Sequence, residues 1–136
     1  MLFRGKAGTS GWVKGSLVKI DDEYTCIVKH YDCPRDLPIN VLINFNSAIV
    51  IPSTVGRYSG KKDKNDVEIF DGDIIKNEYE KGKYQYFRVF YCKQTYMWKV
   101  ANQQGASGSL CRVKGALEVV GNIYDTPDWL GGAKND

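Results

Sequence analysis

Along this chain hydrophobic and polar positions alternate more often than they recur at three- and four-residue spacing, and no stretch of a dozen residues keeps an apolar helical stripe. Strands are therefore expected almost throughout. Leu2 to Lys6 and Trp12 to Ile20 flank the turn-rich Ala7-Gly8-Thr9-Ser10-Gly11, which predicts an opening β-hairpin. Tyr24 to Tyr31 puts Tyr24, Cys26, Val28 and His30 on one face and Thr25, Ile27, Lys29 and Tyr31 on the other. Asp32 to Pro38 holds two prolines and reads as loop, because proline cannot donate to a ladder. Val41 to Phe45 and Ala48 to Ile51 are short apolar runs, the second stopped by Pro52.

Val55 to Asp66 is polar, basic and punctuated by glycine, and reads as a long connection between an N-terminal part, residues 1–54, and a C-terminal part, residues 67–130. In the latter, Asp73 to Tyr79, Tyr84 to Lys93, Met97 to Asn102 and Leu117 to Tyr124 are apolar or aromatic runs with short separators. That spacing predicts a small antiparallel barrel or sandwich. Pro127-Asp128-Trp129-Leu130 reads as one helical turn and residues 131–136 as a frayed tail.

Composition narrows the picture. The 136 residues suit a single domain, residues 1–136, and a hydrophobic content of 43% with 26% charged residues is that of a globular chain. No apolar run reaches signal-peptide or membrane-spanning length, so a cytoplasmic protein with no membrane partner is expected. Cys26, Cys33, Cys92 and Cys111 then read as free thiols. A net charge of +3 is well short of the excess expected of a protein that wraps nucleic acid.

Two blocks carry a resemblance. Val55-Gly56-Arg57-Tyr58-Ser59-Gly60-Lys61-Lys62-Asp63-Lys64-Asn65, continuing through Glu68-Ile69-Phe70-Asp71-Gly72-Asp73-Ile74-Ile75, is one; Glu118-Val119-Val120-Gly121-Asn122-Ile123-Tyr124-Asp125-Thr126-Pro127 is the other. With the opening Phe3-Arg4-Gly5-Lys6 and Gly11-Trp12-Val13-Lys14-Gly15-Ser16-Leu17, they resemble the YopX proteins of phages and prophages. Arg57, Lys61, Asp66 and Phe70 stand where that pattern usually has Gln, Leu, Gly and Tyr. Asp66 matters most, because it replaces the Gly of an Asn-Gly turn that favours positive φ. The resemblance implies a mainly β fold with an SH3-like barrel in the C-terminal part, a phage or prophage origin and self-association. It singles out Gly56, Tyr58, Gly60, Asp63, Gly72, Asp73, Gly121, Asn122 and Tyr124 as motif positions of mainly structural meaning, and it supplies no catalytic residue.

Each candidate chemistry has a plain structural alternative. Asp71-Gly72-Asp73 suits a tight turn whose Asp side chains bond nearby amides. The rival reading joins Asp63, Asp66, Glu68, Asp71 and Asp73 into a metal site. An EF-hand counted from Asp63 fails, since Val67 and Glu68 fall where a ligand and a Gly are needed. Cys26, His30 and Cys33 offer three soft ligands, but no paired cysteines complete a zinc site. His30 is the only histidine and no nucleophile motif accompanies it; no phosphate-binding glycine loop is present either. No catalytic residue, metal or cofactor is expected.

The strongest positive signal is the aromatic and basic stretch from Lys81 to Lys99, in which Lys81, Lys83, Tyr84, Tyr86, Arg88, Trp98 and Lys99 are candidate contacts for nucleic acid or a protein partner. From Lys61 to Lys93, however, eight basic residues face seven acidic ones. The expected function is a non-catalytic protein-interaction module, self-associating and docking an unidentified host or phage protein through exposed aromatics such as Trp12, Trp98 or Trp129. A small nucleic-acid-binding accessory protein is the alternative.

Overall fold

The computed structural model describes residues 2–8, 11–19, 21, 24–29 and 47–126. The expected loop Asp32 to Pro38, the run Val41 to Phe45, the turn at 127–130 and the tail 131–136 lie outside them, as do His30, Cys33 and Trp129. The chain divides into two compact units, Met1–Tyr58 and Ser59–Asp136. Among the described residues the pairings of Phe3–Ala7 with Gly11–Lys19 and Gly56–Lys62, of Thr25–Lys29 with Gly11–Lys19 and Ser47–Val50, and of the strands between Asp73 and Asn122 with one another are antiparallel, and the only helical segments are two 3-10 turns.

Unit 1 begins with the expected hairpin, β1 (Phe3–Ala7) and β2 (Gly11–Lys19), in which Lys6 faces Trp12 and Arg4 faces Lys14. Cross-strand partners share a face. Trp12 therefore stands with Arg4, Lys6 and Lys14 on the face away from Val13, half-buried, with the buried Arg4 guanidinium 4.7 Å from its ring centre. β3 (Thr25–Lys29) and β4 (Ser47–Val50) extend the sheet beyond β2. Ala7, Val13, Ile27 and Val50 form the core, covered by Phe3, Leu17, Ala48 and Val55. A 3-10 turn at Pro52–Thr54 follows, and its Thr54 hydroxyl accepts the Lys6 amide at 2.9 Å and donates to the Ile51 carbonyl.

The segment read as a connection is instead a strand, β5 (Gly56–Lys62). Its backbone supplies what its polar side chains do not announce. Gly56 and Arg57 pair with Arg4 and Phe3 at the free edge of β1, and the later residues neighbour β6 (Glu68–Phe70).

Unit 2 is a meander, β7 (Asp73–Glu80), β8 (Lys83–Cys92), β9 (Met97–Ala101) and β10 (Ser107–Ser109), followed by a 3-10 turn at Leu110–Arg112 and by β11 (Ala116–Asn122), which returns to pair with β7. The strand order is β10-β9-β8-β7-β11. No pairing among the described residues joins β10 to β11, and no closed barrel is found among them. Period-2 alternation along β8 sends Phe87 and Val89 inward, where they meet Ile69, Ile75, Val100, Leu110 and Leu117. β10 went unread because Ser-Gly-Ser carries no hydrophobic alternation; its pairing with Lys99, Val100 and Ala101 makes it a strand.

Candidate functional site

The second unit positions the candidate contacts and all the motif residues except Gly56 and Tyr58, which lie in the first. The Asp63 carboxylate, 8% exposed, accepts three backbone amides: Asn65 at 2.8 Å and Val67 at 2.9 Å on Oδ1, and Val119 at 2.8 Å on Oδ2. The last bond ties the first motif block to the second across 56 positions. Asp66 does take positive φ, at 66°, as the position of a missing Gly requires. Farther on, Asp73 accepts the Phe70 amide at 2.7 Å. Gly72 donates to Val89 and accepts from Ile123, with Tyr124 lying directly over its Cα. Asn122 stands opposite Asp73, and its Oδ1 accepts the amides of Tyr124 and Asp125. The motif residues thus join the ends of β6, β7 and β11. Backbone amides bond two of the five carboxylates of the rival metal reading, Asp63 and Asp73, and no group of three or more metal-ligating residues forms among the described residues. Gly121 sits where the β11–β7 register shifts, and Gly56, Tyr58 and Gly60 lie on β5.

The aromatic and basic stretch is divided between two faces. Tyr84, Tyr86, Arg88 and Phe90 share one face of β8 with Lys76 of β7 and Lys99 of β9, their cross-strand partners or neighbours. Tyr84 is exposed, while Tyr86, Arg88 and Lys99 are half-buried. Cations already lie over rings here: Lys76 Nζ is 4.1 Å from the Tyr84 ring centre and the Arg88 guanidinium is 4.8 Å from that of Phe90. Trp98 is on the opposite face, half-buried against the core, with its ring edge-on to Tyr91 at 5.5 Å. It is therefore not the free anchor expected from sequence, because the register that pairs it with Tyr91 turns it inward. Lys81 lies in the exposed β7–β8 turn, and Lys83 is paired with Glu80 at 3.0 Å.

A groove that sequence reasoning missed opens beside β10. It holds about 800 Å³ and is bordered by β7, β8, β9, β10 and the segment after the second 3-10 turn. Phe87, Val100 and Val113 give it apolar surface; Tyr79 and Met97, 48% and 43% exposed, stand at its border. Lys99, Arg112 and Lys114 also line it, and no Asp or Glu does. Asn77, 1% exposed, lies at its inner wall, bonded through Nδ2 to the carbonyl oxygens of Lys114 and Ala116 and through Oδ1 to Gln85 Nε2 at 3.0 Å. Of the residues singled out from sequence, only Lys99 is here. Asn77, flanked by Lys76 and Glu78 in a strand pattern, gave the one available hint: a polar residue on the core-facing period.

The cysteines differ in chemistry. Burial pushes the Cys26 thiol up, whereas the hydroxyl and amide of Thr95, the Gln94 amide and nearby Lys99 hold Cys92 below the ordinary thiol value. Alkylation followed across pH should therefore reach half its limiting rate at lower pH for Cys92 than for a free thiol, and Thr95→Val should move that midpoint up. An unmoved midpoint would refute the assignment. Cys26 should react only on unfolding.

Antiparallel sheets among the described residues, with a motif built from turns and strand ends, define a mainly β protein whose open surfaces lie beside the sheet edge and across the outer face of β8. The YopX protein family matches residues 2–131, and the chain belongs to that family. No curated protein matches the chain. No helix among the described residues is long and apolar enough to cross a membrane.

Proposed function

We propose that this YopX protein is a non-catalytic protein-interaction module that docks a segment of a partner in the groove beside β10. The observation that carries the reading is the exposure of Tyr79 and Met97 at the border of an open cleft with Phe87, Val100 and Val113 within it. Exposed apolar side chains gathered around a concavity mark binding surfaces, whereas scattered ones do not. Amides, hydroxyls and cations supply the polar lining, with no carboxylate or imidazole to move a proton. We read unit 2 as SH3-like in connectivity, from its meander, 3-10 turn and returning last strand. A phage or prophage origin and self-association, from the family resemblance, and a cytoplasmic setting, from the hydropathy pattern of the sequence, complete the proposal.

The second reading, nucleic-acid binding, is favoured by one observation: Tyr84, Tyr86, Arg88, Phe90, Lys76 and Lys99 share a face, so rings and cations are available together. Capture from nuclease-treated host lysate with the wild-type chain, Tyr79→Ser/Met97→Ser and Tyr84→Ala/Arg88→Ala separates the two. The docking reading expects a protein that the first variant loses and the second keeps, at unchanged thermal stability. Nucleic acid recovered only without nuclease, released by salt and lost in the second variant, would replace it.

A further inference from the structure

We infer that the groove takes an extended, acidic segment of a partner protein, one carboxylate lying beside a large apolar side chain; the inference rests on the docking reading above. Charge comes first. Arg112 and Lys114 are exposed, and neither has an ion-pair partner among the described residues. They place two cations beside one cleft that no carboxylate lines, the Lys99 side chain lying on the face of Tyr86 and Phe90 instead. Such a cleft repels basic segments and draws acidic ones, and a guanidinium can hold a carboxylate through two parallel bonds.

Hydrogen bonding then distinguishes a peptide from a simple anion. Asn77 Nδ2 must donate, because both its partners are carbonyl oxygens, Lys114 and Ala116. Its Oδ1 is thereby an acceptor, so Gln85 must present Nε2 to it, and the Gln85 Oε1 faces the other way. Gln85 lines the groove, and no residue among those described donates to that oxygen. The cleft therefore combines an acceptor, cations and apolar surface from Phe87 and Val113. A phosphate or sulfate has no N–H for the acceptor and nothing for the apolar surface. An extended peptide supplies backbone N–H, an acidic side chain and an apolar one together.

The test is selection of a random-sequence peptide library against the full chain, followed by binding of the selected peptides to wild type, Tyr79→Ser, Gln85→Leu and Arg112→Glu/Lys114→Glu. Selected peptides should carry Asp or Glu beside a large apolar residue and lose affinity about tenfold or more in the charge-reversed variant. They should bind less well at high salt and lose affinity in Gln85→Leu, with thermal unfolding unchanged for the two surface variants. Peptides that are lost in Tyr79→Ser but are neutral, and indifferent to charge reversal, would overturn the acidic preference and leave the docking reading standing. A library that yields no binder, or binders indifferent to Tyr79→Ser and Arg112→Glu/Lys114→Glu alike, would overturn both. Binding by a second copy of this chain instead would show as concentration-dependent sedimentation abolished by charge reversal, and it too would overturn the inference.

Discussion

Asp63→Ala is expected to destabilise unit 2 by about 3–5 kcal/mol, because it leaves three backbone amides without their acceptor. Each bond to a charged group contributes about 1.5–3 kcal/mol, and the sum is less than additive because the three share one carboxylate. The Asn65 and Val67 amides lie in an exposed turn where water can replace the carboxylate, so their loss costs least. The Val119 amide is half-buried and its partner comes from 56 positions away, so that bond decides the outcome. The Lys64 amide, bonded to the Leu117 carbonyl at 2.9 Å, would follow, since the same turn holds it in place. Asp63→Asn should cost less, near ~2 kcal/mol, because one oxygen can still serve the turn while the amide nitrogen now faces the Val119 N–H. Chemical denaturation measures both, and amide exchange locates the change at Val119. A loss under ~1 kcal/mol for Asp63→Ala would show that the motif is not held together this way.

The turn at Asp71-Gly72-Asp73 shows where sequence reading succeeds. A short polar side chain before a turn, capping nearby amides, is a local event with a local signature, and Asp71-Gly72-Asp73 could be assigned to turn chemistry for that reason. The run Tyr84 to Lys93 was legible as a strand, though not which of its faces meets the core. β5 and β10 were not, for a shared physical cause. Gly56-Arg57-Tyr58-Ser59-Gly60 and Ser107-Gly108-Ser109 are strands by virtue of the partner beside them, and their side chains bury too little to write a period into the sequence. The groove was hidden more deeply. Its cations are Arg112, the last residue of a 3-10 turn, and Lys114 just beyond it, where no periodicity runs, and its acceptor is oriented by a side-chain relay that no spacing rule anticipates. Trp98 shows the converse error, since an aromatic residue in a basic stretch looks like an anchor until pairing with Tyr91 assigns it to the inner face.

Gly115→Ala should be the most damaging methyl group that can be added to unit 2. Gly115 has φ of +87°, which costs an L-residue about 1–2 kcal/mol, and its added Cβ would collide with the carbonyl oxygen of Glu78. That oxygen is backbone in β7, opposite Ala116, so relief requires the β7–β11 pairing to open at its end. Asn77 suffers with it, because its acceptors are the carbonyls on either side of Gly115, and each buried bond lost adds about 1–3 kcal/mol. A total of about 3 kcal/mol or more is expected. Gly82→Ala is the control: φ is +78° but nothing lies within 4 Å of the added Cβ, so only the conformational part, about 1–2 kcal/mol, should appear. The difference between the two variants in chemical denaturation isolates the collision, and equal losses would remove it from the account. The same comparison reaches the groove, since Asn77 is what turns Gln85 Oε1 outward. At temperatures where both variants remain folded, Gly115→Ala should weaken binding of an acidic peptide while Gly82→Ala leaves it intact, because a single carbonyl joins the stability of β11 to the acceptor that the ligand meets.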